Sequence, residues 1–278
     1  MEYGLSKHGN GLSSIYGPLL ELDKSLDAIF LSWAKEFQAV EYRFPQLLAV
    51  KHLDRLQYFK SFPHLATFAV TLEKDKDKLE QFSDNHIVLE NGSMELSNVD
   101  LSTHVVTPAA CYHAYVEFKG KEFQQPKIIT TRGICCRCED HYEILERQWI
   151  FSMREIICIG TQKEVSDFLE DAKKKVDSFI NKIGLDLKWV DATDPFFNPK
   201  NNPKYIFQKL EPVKKELIFD NRLAIASTND HINYFGEAFN LTRDGKILSS
   251  GCIAFGMERW LSAIVRTFGD DSKNWPLL

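Results

Sequence analysis

No stretch of this sequence stays apolar for the ~20 residues that a helix needs to cross a bilayer, and the common catalytic signatures are missing. There is no Gly-x4-Gly-Lys-Ser/Thr loop, no Gly-x-Gly-x-x-Gly turn and no Gly-x-Ser-x-Gly elbow. This excludes the usual P-loop, dinucleotide and serine-hydrolase readings. Positive charge is not in excess: 34 Lys plus Arg stand against 39 Asp plus Glu, a formal net charge of -5. That balance argues against a broad basic face gripping nucleic-acid phosphates. Six cysteines in 278 residues fall short of a disulfide framework. Met1 to Asn10, with Glu2, Lys7 and His8, lacks the apolar stretch of a secretory leader. The expectation is a soluble cytoplasmic protein with no membrane contact.

What is present is enough apolar residue, 44% of positions, to bury a full core. Helical periodicity runs through residues 21–37, where Leu22, Leu26, Ile29, Phe30, Trp33 and Phe37 form one stripe, and through 164–183. Thr161 with Glu164 has the form of a capping box, and Gly184 stands where a C-terminal cap belongs. A last helix is expected to begin near Gly256. Residues 147–159 switch to period two. Arg147, Trp149, Phe151, Met153, Glu155, Ile157 and Ile159 fall on one strand face, and Cys158 on the other. Further strands are expected at 104–118, 216–219, 223–229 and 246–254. The fold class is therefore α/β (α+β): one domain, a mostly antiparallel sheet flanked by helices.

Chemistry-bearing residues gather in three places. They are the polar turn Cys136-Arg137-Cys138-Glu139, the strand-to-helix run Gly251-Cys252-Ile253-Ala254-Phe255-Gly256-Met257-Glu258-Arg259, and Arg43-Phe44-Pro45 with Ser61-Phe62-Pro63-His64-Leu65. Taken singly, Cys111 and Cys252 read as small buried residues, His113 as a satisfied core histidine, Phe151 as a core aromatic and Arg259 as an exposed helix charge. Cys135, Cys136 and Cys138 with a further ligand would make a structural zinc knot, although adjacent cysteines suit a tetrahedral site badly. A cysteine hydrolase built on Cys111 and His113 lacks an orienting acid and an oxyanion site. Lys173-Lys174-Lys175 reads as a solvated helix face, or as a dock for an acidic partner.

Together with Met153-Arg154-Glu155, Ile159-Gly160-Thr161, Asp194-Pro195-Phe196-Phe197 and Ser227-x-Asn229-x-His231-x3-Phe235-Gly236, these segments resemble the three signature motifs of class II aminoacyl-tRNA synthetases. The wording is nearest the seryl-like branch and its stand-alone amino acid:[carrier protein] ligases, and the resemblance runs from about Arg43 to Trp275-Pro276. It implies a single class II synthetase-type catalytic domain over residues 1–278. Residues 1–40 would pack on the core as a helical segment, and no separate tRNA-binding domain is expected.

The resemblance also implies roles. Arg137 would hold the α-phosphate of ATP, with Arg132 as a competing candidate, and Glu139 would contact the adenine amino group. Phe151 would stack beneath the ring. Arg259 would cover the other ring face and reach the γ-phosphate from a helix N-terminus. Glu216 and Asn229 would hold Mg2+. Cys111, Glu155 and Cys252 would hold Zn2+ with a fourth position open to an α-amino group. Cys136 departs from the family, which has Phe there.

The implied activity forms an aminoacyl-adenylate from ATP and a small amino acid, then passes the acyl group to the phosphopantetheine thiol of a carrier protein. Arg137 and Arg259 would be catalytic, through charge stabilisation on the phosphates. The acidic balance, and the few residues ahead of Arg43 for a tRNA-binding arm, favour the carrier protein over tRNA. A homodimer pairing around Pro45 is expected. A minimal tRNA-charging synthetase and a non-catalytic amino acid- or adenylate-binding paralogue remain the alternatives.

Overall fold

The computed structural model describes residues 3–278. Met1 and Glu2, which belong to the stretch examined above for a leader, lie outside the described residues. Seven strands make the central sheet: β1 (Val40–Tyr42), β2 (Lys127–Cys136), β3 (Ile150–Gly160), β4 (Leu187–Asp191), β5 (Lys214–Phe219), β6 (Leu223–Asp230) and β7 (Ser249–Gly256). They lie in the order β1-β2-β3-β7-β6-β5-β4. The edge pair β1–β2 is parallel and the other pairs are antiparallel, so the expected mostly antiparallel sheet is what forms. No helix among the described residues is long and apolar enough to cross a membrane.

The period-two pattern of β3 shows its cause in the packing. Ile156 and Cys158 join the core on one face of the sheet, and Ile157 and Ile159 join the core on the other. Three helices cover the first face: α1 (Gly17–Glu36), α2 (Gln162–Ile183) and α3 (Met257–Phe268). Phe30 of α1 lies flat on Phe255 of β7, with centroids 4.0 Å apart, and Trp260 of α3 packs beside it. The start of α2 is the expected capping box. Thr161 accepts from the Glu164 N–H, and Glu164 accepts the Thr161 N–H at 2.7 Å. Gly184 ends the helix at φ +74°, where a side chain would be strained.

Two expectations are corrected, and two elements come in addition to those expected. Residues 104–118 are not one strand. His104–Val106 pairs in a small three-stranded sheet with Leu47–Ala49 and Phe68–Ala69, and Tyr112–Glu117 is a helix. Pro108 has no N–H to continue a ladder, so pairing stops before it. β3 begins at Ile150 rather than Arg147, because Arg147 closes a turn by donating its N–H to Glu143 at 2.7 Å. β2 and the helix Pro203–Leu210 were not expected.

Candidate active site

The sheet face away from α1 opens onto a cavity of ≈ 590 Å3, within the range that holds a nucleotide-sized ligand. Apart from the competing candidate Arg132, every residue to which the resemblance gives a role lines it, although the chain brings them from the turn after β2, from β3, β5, β6 and β7, the start of α3 and the turn before Tyr112.

Two half-buried arginines define one part of the cavity. Arg137 follows β2 directly, and its N–H still pairs with Trp149 O at 2.9 Å. Its Nε donates to Pro108 O at 2.9 Å, and its guanidinium stands 5.2 Å from the Phe151 ring centroid. Arg259, in the first turn of α3, donates Nε to Glu146 O at 2.7 Å and Nη1 to Ala224 O at 2.9 Å. Neither guanidinium has a carboxylate ion pair among the described residues. Burial, together with the charges of Arg137 and Arg147, lowers the pKa of Arg259 from its ordinary value. Partly desolvated cations held only by neutral carbonyls favour an anionic ligand.

Arg147 was given no role in the sequence reading, although it stood on the right face beside Phe151. It lines the cavity and pairs with Glu139 at 2.7 Å. Arg132 is removed as a competitor of Arg137. On β2 it lies opposite Arg154 and beneath α1, where it pairs with Asp23 at 2.7 Å. Arg154 is buried beside it, paired with Asp27 and Glu41, each at 2.8 Å.

A second group sits where β3 and β7 adjoin. The thiols of Cys111 and Cys252 and the Glu155 carboxyl adjoin there, near enough for each to shift the others' titration. Glu155 accepts the Ala110 N–H at 3.1 Å through Oε1, while Oε2 is buried and no N–H or hydroxyl reaches it. Asn229, the cross-strand neighbour of Cys252, donates to its Sγ at 3.5 Å, and His231 Nε2 lies 3.8 Å from the same sulfur. Cys252, burial and Glu155 hold Cys111 well above the usual thiol range. Cys111 pulls the Cys252 thiol down, but burial and Glu155 outweigh it and leave the thiol raised. Burial raises Glu155 as well, and it lowers His231 to about 4.

The expectation of a metal centre is met only in that these three side chains adjoin. Among the described residues no group of three or more His, Cys, Asp and Glu side chains is placed to hold a metal ion. The same observation leaves the Cys135, Cys136 and Cys138 knot without support. The hydrolase reading also loses its base, because His113 is buried and its Nε2 is engaged with Leu47 O at 3.2 Å.

Glu216 does not stand free for a cation. Lys214 lies 3.0 Å from it and 2.8 Å from Asp194. Burial works against the Asp194 carboxylate, but Lys214 and Gln208 hold its pKa below the usual range. Nor do the lysines of α2 form an open dock. Lys174 pairs with Asp171, Lys175 with Glu36, and Lys173 lies over Trp189.

No family model matches the chain. It is 28% identical to amino acid–[acyl-carrier-protein] ligase 1 of Bradyrhizobium diazoefficiens, over 97% of this chain and 84% of the relative. It is 22% identical to the type-2 serine–tRNA ligase of Methanococcus aeolicus, over 86% of this chain and 49% of the relative, so it spans about half that protein's length. The crystal structure of M. kandleri SerRS in complex with A. aeolicus tRNASec superposes with a TM-score of 0.82 at 18% identity. That match covers 98% of this chain and 56% of the other. In fold and sequence the chain is therefore class II aminoacyl-tRNA synthetase-like, similar to the amino acid–[acyl-carrier-protein] ligases.

Proposed function

We propose that the chain activates a small amino acid with ATP and transfers it to the phosphopantetheine thiol of a carrier protein. One observation carries the reading: Arg137 and Arg259 enter a single cavity as half-buried cations with no carboxylate partner among the described residues. In the first step the amino acid carboxylate attacks the α-phosphorus and pyrophosphate leaves. Arg137 offsets charge at the α-phosphate, and Arg259 acts toward the γ-phosphate. Phe151 offers the adenine a ring face, and Glu139 accepts from its amino group. In the second step the carrier thiol attacks the adenylate carbonyl, AMP leaves, and a thioester forms. Neither step needs an enzyme nucleophile, so catalysis here is positioning and electrostatics.

Two metals belong to this proposal. Mg2+ would be held by Glu216 and Asn229, which line the same cavity; it would neutralise phosphate charge once Glu216 is released from Lys214. Zn2+ would be held by Cys111, Glu155 and Cys252. Two thiols and a carboxylate with an unmet oxygen are a donor set that suits zinc. When bound, the ion would supply a Lewis-acid position for a neutral α-amine, and the thiols would release their protons to solvent as they ligate it. Asn229 and His231, both in contact with the Cys252 sulfur, would orient it.

A homodimer fits the apolar residues left exposed near Pro45, among them Val40 and Leu47. Carrier protein rather than tRNA as acceptor, and a cytoplasmic location, follow from the same reading. ATP–pyrophosphate exchange with a panel of amino acids in the absence of RNA tests the proposal, followed by mass analysis of a phosphopantetheinylated carrier protein. Exchange without tRNA and an aminoacyl mass gain on the carrier are expected. No exchange with any amino acid overturns the proposal.

A further inference from the structure

Ahead of α1 the chain forms a hairpin, Leu5–Gly9 paired with Leu12–Ile15, that joins no other sheet. Its root rests on the core. Leu5 is buried there, and Tyr16 donates its N–H to Gly4 O at 2.8 Å. Its tip reaches the turn between β2 and β3, which carries Glu139 and Arg147 into the cavity. Gly11 O accepts the Trp149 N–H at 3.0 Å, and Ser13 Oγ donates to Gln148 Oε1 at 3.0 Å.

Both contacts fall on residues that shape the turn. Trp149 is a bridge: Gly11 takes its N–H, and its main-chain oxygen accepts the Arg137 N–H at 2.9 Å. One residue therefore separates the hairpin from the arginine. Gln148 is a buried brace whose Oε1 also accepts the Leu145 N–H at 3.0 Å, while its Nε2 donates to Ile150 O at 3.1 Å. Leu145 holds a left-handed φ of +61°, costly for a side chain of that bulk, so the turn needs such a brace. Gly11 has a steric reason to be glycine. A Cβ there would lie 2.6 Å from the Trp149 nitrogen and 2.5 Å from the Tyr142 ring.

We propose that this hairpin is a positioning element of the nucleotide site, an inference that rests on the ATP reading above. Gly11 and Ser13 hold Trp149 and Gln148. These in turn set the main chain from which Arg137 and the Glu139–Arg147 pair face the ligand. Neither Gly11 nor Ser13 lines the cavity, so both act through the turn and not on a substrate. Ordering the turn in advance lowers the cost of binding ATP. Cys111, Glu155 and Cys252 lie outside the braced turn, so the amino acid end of the cavity should not respond.

The test uses the full chain and four variants: Gly11→Val, Ser13→Ala, Ser13→Thr and His8→Ala. The last removes only the hairpin's own exposed contact, His8 Nε2 to Ser14 Oγ at 2.7 Å. Calorimetric titration gives the Kd for ATP, and pyrophosphate exchange gives KM for ATP and for the amino acid, all below each variant's Tm. Gly11→Val should raise both ATP constants about tenfold and Ser13→Ala about threefold, with the amino acid KM within about twofold of wild type. Ser13→Thr keeps the hydroxyl and should restore ATP binding, and His8→Ala should not change it. Unchanged ATP affinity in both Gly11→Val and Ser13→Ala, whatever happens to Tm, makes the hairpin merely structural and overturns the proposal. ATP and amino acid constants that rise together show a general loosening of the cavity and also overturn it. If wild type binds ATP without exchange, the proposed activity falls and the titration alone decides the hairpin's role. Wild type that binds no ATP removes the nucleotide site and that role with it.

Discussion

Arg259 Nε donates to the main-chain oxygen of Glu146 at 2.7 Å, so the turn between β2 and β3 fixes the guanidinium at the start of α3. That turn is itself tied down through the Glu146 side chain. Its carboxylate accepts from Ser262 at 2.8 Å and pairs with Arg266 at 3.0 Å and Arg222 at 2.6 Å. Arg266 in turn pairs with Asp220. Two signature segments distant in sequence are thereby locked together before any ligand arrives.

Glu146→Ala should therefore cost more than a surface ion pair does. Glu146 is buried, but Arg222 and Arg266 are partly exposed and can turn to solvent. A loss of about 2 kcal/mol in unfolding free energy is expected, below the full penalty for breaking a buried pair. The positioning role predicts in addition a raised KM for ATP, measured by exchange at a temperature where the variant is fully folded. Glu146→Gln keeps an acceptor for Ser262 and should recover part of both losses.

The cavity arginines should trade stability against activity. Arg259 is a half-buried cation whose charge partial burial disfavours, so Arg259→Met should leave Tm unchanged or higher. Exchange should fall by about a hundredfold or more, as expected when a preorganised charge is removed from a phosphate site. Arg259→Lys should not rescue it, because one ammonium cannot make the two directed bonds to Glu146 O and Ala224 O while still facing a ligand. Arg137→Ala should lower exchange to a similar extent. Thermal melts and exchange rates on the same preparations check both residues.

The zinc proposal makes a stoichiometric prediction. Elemental analysis of protein purified without chelator should find about one zinc per chain. Cys111→Ser and Cys252→Ser should each lose it. Wild-type zinc content in both variants would remove these ligands. Because the thiols are held protonated by their mutual contact and by burial, loading the metal should release protons, which calorimetry in buffers of different ionisation enthalpy can count.

How much of this was legible depended on whether the signal was local. The cap at Thr161 and the stop at Gly184 involve neighbours in sequence and could be read directly. So could Glu155, because period two alone sets it on the face of Phe151 and Met153. β2 was missed because residues 127–136 sit inside the sheet, where apolar and polar positions do not alternate cleanly. Its continuation into Arg137 is what aims that side chain. The helix Pro203–Leu210 was hidden in a run of Asn and Pro that reads as turn. Yet Asn202 as N-cap, accepting from Lys204 at 3.0 Å, with Pro203 in the first turn, is a start signal in its own right. Cys111 and Cys252 could be paired only through the family resemblance. Nothing in their spacing announces that β3 and β7 run side by side, a register in which Cys252 opposes Ile157 and Ala254 opposes Glu155.

Glu258 yields a pH prediction that its neighbours allow to be isolated. It precedes Arg259, lines the cavity, and receives the Ser152 N–H at 2.9 Å on both oxygens. Burial outweighs that bond and pushes its pKa up to about 7, whereas in the unfolded chain a glutamate titrates near 4.3. Between those values the folded protein holds a proton that the unfolded chain has released. Stability attributable to Glu258 is thus full below about pH 4, declines as pH rises to about 7, and is level above that. The total decline is of the order of 4 kcal/mol. Glu258→Gln keeps an acceptor for Ser152 and carries no charge to desolvate. The variant should match wild type near pH 5 and exceed it at pH 8, with the intervening slope flattened. Urea unfolding at several pH values reads this directly. Parallel wild-type and variant profiles would show that the carboxyl is ionised in the fold across the range, and that the slope arises elsewhere.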